Sequence, residues 1–241
     1  MSLSKNHIKL ITSLRQKKYR LKHNLFIVEG VKVVSEFLNS SFELETIFLT
    51  DESLFDVGEA TSIYINENEL KKISSLKSPN KVLALFKIPE YKISNSKGIT
   101  LVLDEINDPG NLGTIIRLCD WFGVSELVCS KNTVDCYNTK VIQASMGSLT
   151  RVPICYIDIV EFLKTSDKSI FIADMEGQNV YNSSLPEEVI LIMGNEANGV
   201  SKQVKNIAKN SITIPRFGNT QQTESLNVAT ATAILLSEFR R

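Results

Sequence analysis

The sequence predicts an α/β protein made of two successive domains, each a β-sheet with packed helices. Short apolar segments alternate with amphipathic ones in residues 1–92, and the alternation restarts in residues 99–241. Between them, a stretch with Pro, Ser, Asn, Lys and Gly lacks apolar periodicity and is typical of a linker, which we place at residues 93–98. Hydrophobic residues make up 43% of the chain, which is enough for a packed core.

The first predicted domain begins with a basic helix. Ile8, Ile11 and Leu14 lie toward one side at helical spacing, so we expect a single helix over residues 5–20. Strands and helices then alternate in the order of a small α/β domain. The predicted strands are 25–30, 44–50 and 81–88, and the predicted helices are 31–40 and 66–76.

The second predicted domain begins with "ITLVLDEI", residues 99–106. This is a continuous apolar strand of the kind that is buried on both faces of a parallel sheet. The same alternation continues to the end of the chain. Further strands are predicted at 126–130, 151–157, 169–174, 189–194 and 211–215, and helices at 112–122, 138–146, 158–165, 200–208 and 225–239.

Several classes of protein are disfavoured by composition. No apolar run reaches about 18 residues, as a membrane span would need, and the N-terminus lacks the apolar region of a signal peptide. We therefore expect a cytoplasmic protein. The four cysteines form no CxxC pair, and the two histidines, His7 and His23, are far from them in sequence. We expect reduced, mostly buried thiols and no metal site.

Positive charge is concentrated near the N-terminus, although 27 basic residues balance 27 acidic ones overall. Residues 1–32 hold eight Lys or Arg and one acid, whereas residues 41–70 hold eight acids and no Lys or Arg. Clustered cations favour nucleic acid because binding releases its counterions. The candidates for such contacts are Arg15, Lys17, Lys18, Arg20 and Lys22. From charge alone, a merely solvated helix is an equally good explanation.

Common nucleotide-binding and hydrolytic motifs are missing. There is no Gly-x-Gly, and therefore no dinucleotide fingerprint, and there is no GxxxxGK[ST] phosphate loop. A histidine-based triad is implausible with both histidines in the first 23 residues. The second domain must therefore carry out any chemistry without histidine.

Three glycine-marked turns follow apolar strands, and the first is "NDPGNLGTIIR". Residues 108–110 form a turn by composition. Asn111 can act as the N-cap of the following helix. Arg117 comes six residues later, less than two helical turns along, so both side chains could face one cleft. Taken alone, this stretch is better explained as an ordinary capped helix with a solvated arginine.

The second turn is "LIMGNEANGVS" and the third is "IPRFGNTQQTESLNVATATAILLSEF". In the second, Glu196 is a polar loop residue, and Gly199 permits a left-handed conformation. In the third, Ser225 or Thr223 is expected to cap the last helix, with Asn227 inside its first turn, where Asn is a poor helix former. Each turn has a purely structural explanation when it is considered alone.

Together the three stretches resemble the SpoU family of RNA ribose 2′-O-methyltransferases, in the SPOUT superfamily. "NDPGNLGTIIRLCDWFG" is similar to its first motif, "MGNEANGVS" to its second and "IPRFGNTQQTESLNVATATAILLSE" to its third. "ASMGSLTRVP" resembles the segment between them. The resemblance covers residues 99–241. More loosely, "RQKKYRLKHNLFIVEGVKVVSE" resembles the small substrate-binding domain that often precedes the catalytic one.

The resemblance implies a knotted parallel-sheet methyltransferase domain after a small α/β RNA-binding domain. Such enzymes transfer a methyl group from S-adenosylmethionine to a ribose 2′-hydroxyl in rRNA or tRNA, and they act as homodimers. Sequence rules alone predict an unknotted sheet, because knots are rare. Four residues are implied to bind the cofactor, mainly through backbone groups: Met193, Gly194, Ile214 and Leu226.

The resemblance also implies a set of catalytic residues. Arg117 matches the family's arginine, which is often proposed to assist deprotonation of the ribose hydroxyl. A guanidinium hardly ever gives up its proton, so we expect Arg117 to hold the adjacent phosphate and stabilise a developing alkoxide. Asn111, Glu196, Ser225 and Asn227 are expected to shape the pocket and to orient Arg117 and the ribose.

The sequence departs from the family pattern in three places. The stretch between Pro215 and Glu224 is about three residues longer than usual, Ala229 replaces a common Ser, and Cys119 replaces a frequent Ala. The longer loop leaves the shape of the cofactor pocket and the choice of substrate open. By analogy we expect rRNA rather than tRNA, while the nucleotide stays undetermined.

Two other interpretations compete with this one. A non-catalytic RNA-binding or ribosome-assembly protein could use the same scaffold, although the intact polar residues of the three motifs count against it. A different nucleotide-binding α/β enzyme is disfavoured by the missing glycine motifs.

Overall fold

The computed structural model describes residues 3–58, 61–91, 97–219 and 225–241. The chain divides into two compact units. The first comprises Met1–Glu90 and Asp135–Arg151, and the second comprises Tyr91–Val134 and Val152–Arg241. The chain therefore enters the second unit, returns to the first for 17 residues (135 to 151), and leaves it again.

The first unit contains a four-stranded sheet and five α-helices among its described residues. Its elements are α1 (Lys5–Ser13), α2 (Lys17–His23), β1 (Leu25–Glu29), α3 (Val31–Leu38), β2 (Leu44–Leu49), β3 (Ser62–Tyr64), α4 (Glu67–Ile73) and β4 (Val82–Lys87), with one further helix, Thr139–Ser145, in the returning segment. The strand order is β1-β4-β2-β3. The pairs of β4 with β1 and β2 are antiparallel, and β3 is parallel to β2.

Alternation along β1 gives this sheet two buried faces. Ile27 belongs to an aliphatic cluster with residues of α1 and α4, such as Ile11 and Ile73. Phe26, its neighbour on the opposite face, lies within 5.6 Å, centroid to centroid, of the Phe37 ring. Because both faces are covered, all five residues of β1 are buried.

The predicted helix 5–20 is wrong, because the structure breaks it into α1 and α2. Helix α1 ends at Ser13, and Gln16 is extended (φ −101°, ψ 133°) before α2 begins. The buried Arg20 explains the break: its Nη1 donates to the carbonyls of Leu14 (2.9 Å) and Arg15 (3.1 Å). A continuous helix would bond these carbonyls to its own amides. Strand β3 is also absent from the sequence prediction, because three residues are too few to show the alternating pattern of a strand.

The second unit contains a six-stranded sheet in which every strand is parallel to its neighbours. Its elements are β5 (Ile99–Asp104), α5 (Pro109–Phe122), β6 (Glu126–Ser130), β7 (Ile154–Ile157), α7 (Ile159–Lys164), β8 (Ser169–Asn179), β9 (Val189–Gly194), α8 (Lys202–Lys205), β10 (Asn210–Thr213) and α9 (Val228–Phe239), with α6 denoting the helix Thr139–Ser145 of the first unit. The strand order is β10-β8-β9-β5-β6-β7. The predicted parallel α/β sheet is confirmed, and strands β5 and β9 lie side by side in its centre.

Several boundaries differ from the sequence prediction, and the largest differences are those of β8 and α8. Strand β8 continues to Asn179 instead of ending at 174, because its polar second half pairs with β10. Gly177 permits this pairing, since a Cβ there would lie 2.5 Å from the backbone nitrogen of Ile212. Helix α8 spans only Lys202–Lys205, whereas residues 200–208 were predicted.

All four cysteines are buried free thiols, as predicted. Burial, and then the charge of Asp120, raise the pKa of the Cys119 thiol. Burial, and then the charge of Glu126, raise the pKa of Cys155 to about 12. Among the described residues, no helix is long and apolar enough to cross a membrane.

Candidate active site

Three strands of the second sheet end at the same edge. Strands β5, β9 and β10 run in the same direction, so the segments after Asp104, Gly194 and Thr213 leave the sheet on one side. In parallel α/β sheets, ligands bind at this carboxyl edge. The three glycine-marked turns of the sequence are these three segments.

The first turn places Asn111 inside helix α5. Asp108, not Asn111, is the N-cap, because its Oδ1 accepts from the backbone N–H of Asn111 at 2.7 Å. Pro109 occupies the first helical position, where a missing N–H costs nothing. The predicted capping role of Asn111 is therefore wrong, and its side chain remains available for contacts with other loops.

The second turn is closed by Asn195. The backbones of Asn195 and Gly199 bond reciprocally, at 3.0 and 2.8 Å, and the Asn195 Oδ1 accepts from the amides of Ala197 and Asn198. Gly199 is left-handed (φ +65°), as predicted. Gly194 allows the two sides of the loop to meet, since a Cβ there would lie 2.3 Å from backbone atoms of Gly199 and Val200. This turn positions Glu196 at its exposed tip.

The third turn leads into α9, and Asn227 is the N-cap of that helix. The Asn227 Oδ1 accepts from the amides of Ala229 (3.0 Å) and Thr230 (3.2 Å). Ser225 was predicted as a cap and does not have that role, while Thr223, the other predicted cap, lies outside the described residues. Asn is a strong N-cap because it satisfies amides that lack helical partners. Asn227 therefore lies just before the first turn of α9 and not inside it, so its poor helix propensity costs nothing there.

A chain of side-chain hydrogen bonds joins the three turns. Asn227 donates from Nδ2 to Oδ1 of Asn111 at 2.9 Å. Asn111 in turn donates from Nδ2 to Oε1 of Glu196 at 2.7 Å. Each amide uses its oxygen and its nitrogen for different partners, so both amide orientations are fixed. The structure thereby brings together three of the five predicted catalytic residues.

A cavity of about 530 Å³ opens between the second and third turns. Four of the residues that line it are the predicted cofactor ligands, Met193, Gly194, Ile214 and Leu226. Two predicted catalytic residues, Glu196 and Ser225, also line it.

The carboxylate of Asp174 contributes to the cavity lining. It forms an ion pair with Lys205, whose Nζ lies 2.6 Å from Oδ2. The hydrogen bond from Lys205 holds the pKa of Asp174 below its ordinary value. Asp174 is therefore a carboxylate at neutral pH.

Arg117 stands apart from the cavity. It lies on the exposed side of α5 and is not among the residues that line the cavity. Within the described part of the chain it forms no hydrogen bond or ion pair. The guanidinium is consequently available to a phosphate or to another chain.

The predicted RNA-binding residues differ in their availability. Lys17, Lys18 and Lys22 are exposed on α2. Arg15 is also exposed, but its Nη2 donates to the carbonyls of residues 73 and 74. Arg20 is 2% exposed and pairs with Asp135, in addition to its bonds within the α1–α2 turn. Its predicted contact with RNA is therefore withdrawn, because its donors are used inside the first unit.

The sequence analysis missed the residues that hold the second turn in place. Asn195 donates from Nδ2 to the carbonyl of Glu105 at 2.8 Å, and the Asp104 carboxylate accepts from the Ser201 amide at 2.8 Å. Glu105 is itself left-handed (φ +62°), which is uncommon for a residue with a Cβ. Its carboxylate accepts from Asn132 at 2.7 Å. Asn is a common turn residue, so the composition of the turn could have identified Asn195, whereas nothing in the sequence indicates the conformation of Glu105.

Comparison with known proteins agrees with this geometry. Residues 98–237 match the SpoU rRNA methylase family. The chain belongs to this family. Residues 5–84 match the MRM3-like substrate binding domain. The resemblance inferred from the three motifs is thus confirmed, and the protein is an S-adenosylmethionine-dependent RNA ribose 2′-O-methyltransferase by family membership.

Individual relatives cover nearly the whole chain. The 23S rRNA (guanosine(2553)-2′-O)-methyltransferase RlmP of Bacillus subtilis is 31% identical over 94% of this chain and 93% of its own. A TrmH-family protein from Porphyromonas gingivalis superposes with a TM-score of 0.91, at 37% identity, covering 99% of this chain and 98% of that one. An AdoMet-bound rRNA methyltransferase from Sinorhizobium meliloti gives 0.89 at 27% identity, covering 100% and 97%. The trefoil knot of the SpoU fold stays a prediction for this chain.

Proposed function

We propose that this SpoU-family enzyme methylates a ribose 2′-hydroxyl in large-subunit rRNA. The observation that carries the proposal is the cavity at the carboxyl edge of the sheet, which is lined by all four predicted cofactor residues and by Glu196. The relatives support the choice of RNA, since those from Bacillus subtilis and from Neisseria meningitidis are both 23S rRNA guanosine 2′-O-methyltransferases. A tRNA substrate is the second candidate.

The cavity fits S-adenosylmethionine in size and chemistry. Its volume of about 530 Å³ lies within the range of roughly 300–1,000 Å³ that small-ligand pockets span. Its floor is apolar, with Met193 and Val228 buried, while backbone groups of Gly194 and Ile214 can bond to polar parts of the ligand. When bound, the cofactor supplies a methyl group that its positive sulfur has already activated.

The chain's own residues then have to orient the ribose and stabilise the charge that develops on its oxygen. Arg117 is assigned to the phosphate next to the reacting ribose and to the developing alkoxide, because a guanidinium donates two parallel hydrogen bonds but keeps its proton. The bonds among Asn227, Asn111 and Glu196 hold the three turns in one arrangement before substrate binds. Ser225 lies at the cavity wall, where its hydroxyl can contact the ribose. Alignment of the reacting atoms is then the main contribution to rate.

We further propose that the enzyme is a homodimer. Trp121 is 84% exposed and lies four residues after Arg117, on the same side of α5. Tryptophan is enriched at the centres of protein interfaces. An interface centred on Trp121 would also cover Arg117, as expected for an arginine that serves the partner's active site. Sedimentation of the wild type and of Trp121→Lys tests this, since a dimeric mutant would contradict it.

The exposed lysines of α2, together with Arg15, form the proposed RNA-binding surface of the first unit. We assign the enzyme to the cytoplasm, where ribosomal RNA is available to it. The boundaries of the substrate-binding domain, residues 1–92, and of the catalytic domain, residues 99–241, are part of the same proposal. The match of residues 5–84 to a substrate binding domain supports the first range, and the match of residues 98–237 to the SpoU family supports the second, although residues 135–151 belong to the first compact unit.

The test is transfer of a labelled methyl group from S-adenosylmethionine to total rRNA and tRNA from cells that lack this protein, followed by mapping of 2′-O-methyl positions. We expect one labelled site in large-subunit rRNA. Assembled large subunits are assayed in parallel, since some substrates form only in the particle. Labelled tRNA alone would replace the rRNA proposal. Cofactor binding without label on any RNA or particle would favour the non-catalytic alternative.

A further inference from the structure

Phe217 is an exposed aromatic ring at the mouth of the cofactor cavity. Its side chain is 81% exposed, yet the residue contributes to the cavity lining. It lies four residues after the end of β10 and two after Pro215, whose ring restricts the backbone. Single exposed apolar residues are common on protein surfaces, so its position, rather than its exposure alone, is informative.

Exposure increases from the floor of the cavity to its mouth. Met193 is 2% exposed, Met175 and Leu226 are 46% and 47% exposed, and Phe217 is the outermost of these four lining residues. The inner residues include the proposed cofactor ligands. The apolar wall therefore extends beyond the part of the cavity that the cofactor needs, and its outer end is a flat ring.

We propose that Phe217 is a stacking platform for a nucleobase of the substrate RNA, a site that rests on the proposed function of the enzyme. The reacting ribose has to reach the cofactor's methyl group, so its own base or an adjacent one must lie near the cavity mouth. An aromatic ring offers a stacking surface to any base, because every base has a π-face. Sequence-specific recognition of RNA mostly uses unstacked bases, which can pack on aromatic side chains such as Phe in this way.

Three substitutions at this position separate stacking from simple apolar contact. Phe217→Ala removes the ring, Phe217→Leu keeps apolar volume without a π-face, and Phe217→Trp keeps an aromatic surface. Tyr181→Ala is the control, since Tyr181 is an exposed aromatic residue of the second unit that does not line the cavity. Each variant is assayed for the KM and kcat of methyl transfer to rRNA or large subunits from cells lacking the protein, and for S-adenosylhomocysteine binding by calorimetry.

We expect Phe217→Ala and Phe217→Leu to raise the KM for RNA roughly tenfold, the scale of one missing base–aromatic stack. Phe217→Trp and Tyr181→Ala should remain close to the wild type, and all variants should bind S-adenosylhomocysteine equally well. Weaker cofactor binding with an unchanged KM for RNA would overturn the proposal, because the ring would then belong to the cofactor site. Full activity of Phe217→Leu would overturn it as well, and so would dissociation of the Phe217→Ala dimer in sedimentation.

The outcome for Phe217 can be distinguished from failure of the proposed function. If the wild type labels large-subunit rRNA, the proposed function stands whatever the variants do. If the wild type labels no RNA, binding of a single-stranded hexanucleotide containing 2-aminopurine still tests the platform. Quenching of 2-aminopurine fluorescence by the wild type and Phe217→Trp, but not by Phe217→Leu, would support stacking. Equal quenching by all of them would contradict it.

Discussion

Asn111 donates a hydrogen bond from Nδ2 to Oε1 of Glu196 at 2.7 Å, joining residues 85 positions apart in sequence. This bond ties the start of α5 to the turn after β9, and the bond from Asn227 adds the start of α9. These side-chain bonds thus connect two helix N-termini and one loop tip, which no backbone hydrogen bonds of a helix or sheet join in the residues that the structure describes. We expect the preorganisation of the site to depend on these amides.

Replacing Asn111 by Asp tests that dependence with almost no change in shape. The Nδ2 donor becomes a carboxylate oxygen facing Glu196, so a hydrogen bond to a charged group is removed and two like charges face each other. We expect S-adenosylhomocysteine to bind roughly tenfold to hundredfold more weakly, as hydrogen bonds to charged groups are worth about 1.5–3 kcal/mol. Calorimetry and thermal unfolding are the measurements.

The double variant Asn111→Asp with Glu196→Gln is the matched control. The glutamine amide can donate to the new carboxylate, which restores a donor–acceptor pair with the direction reversed. Cofactor binding should recover in part, although methyl transfer need not. Unchanged binding in Asn111→Asp alone would show that the site does not depend on this bond.

Substitution of Arg117 should separate chemistry from cofactor binding. Arg117→Ala should abolish methyl transfer, because the same substitution removes the group that holds the phosphate and the group that stabilises the alkoxide. S-adenosylhomocysteine binding should stay nearly intact, since Arg117 does not line the cavity. Arg117→Lys keeps the charge but not the planar pair of donors, and we expect only a small part of the activity. Equal activity of Arg117→Ala and wild type would remove Arg117 from the mechanism.

The central strands could be predicted from the sequence because a strand that is buried on both faces appears as a continuous run of apolar residues. Strand β5 is buried at all six positions and β9 at five of six, which is why both were evident as apolar runs. Family motifs, not periodicity, located the cavity residues. Capping was harder to predict: Asp108, not Asn111, starts α5, and Asn227, not Ser225, starts α9. Several polar residues stand near each helix start, and only the tertiary contacts decide which one caps.

Charge alone could not show which basic residues of helix α2 face the solvent. Arg20 has the same charge as its neighbours in sequence, but a carboxylate and two carbonyls in the first unit take up its donors. Lys18 and Lys22 remain exposed on the same helix. A sequence pattern does not record which cation turns inward, because the partner, Asp135, is 115 residues away.

Arg20 and the exposed lysines should therefore respond differently to substitution. Arg20→Ala should lower the free energy of unfolding by about 3 kcal/mol, since it leaves Asp135 without its buried partner. The double variant Lys18→Ala, Lys22→Ala should unfold like the wild type but bind rRNA with a weaker salt dependence. The slope of log K against log [salt] should fall by about 1 for each phosphate that the variant no longer neutralises. An unchanged slope would mean that these lysines are only solvated.

The buried thiols predict loss of stability at alkaline pH. The pKa of Cys155 is raised to about 12, and that of Cys119 is raised as well, whereas an unfolded thiol ionises near pH ~8.5. Their stabilising contribution is complete below that value and disappears as pH rises toward the folded pKa. The free energy of unfolding should fall by about 1.4 kcal/mol per pH unit for each thiol above pH ~9.

Urea unfolding at pH 7.5 and pH 10 measures this effect. The double variant Cys119→Ala, Cys155→Ala is less stable at both values because of the cavities it leaves, but its dependence on pH should be shallower. An equal pH dependence in both proteins would assign the alkaline loss to other groups.

Gly194 and Gly218 form a matched pair of glycines, because both line the cavity. A Cβ on Gly194 would lie 2.3 Å from the backbone of residues 199 and 200, and backbone cannot move aside as a flexible side chain can. A Cβ on Gly218 would meet nothing within 4 Å, and Gly218 is not among the glycines with positive φ. Gly194→Ala should therefore force the turn after β9 open and displace Glu196 from Asn111.

Calorimetry with S-adenosylhomocysteine and thermal unfolding should distinguish the two variants. Gly194→Ala should lose measurable cofactor affinity and unfold at a lower temperature, as overpacking typically costs about 1–3 kcal/mol. Gly218→Ala should bind the cofactor like the wild type and match or slightly exceed its stability, because alanine reduces the freedom of the unfolded chain. Equal effects at the two positions would mean that the close approach at Gly194 does not shape the cavity.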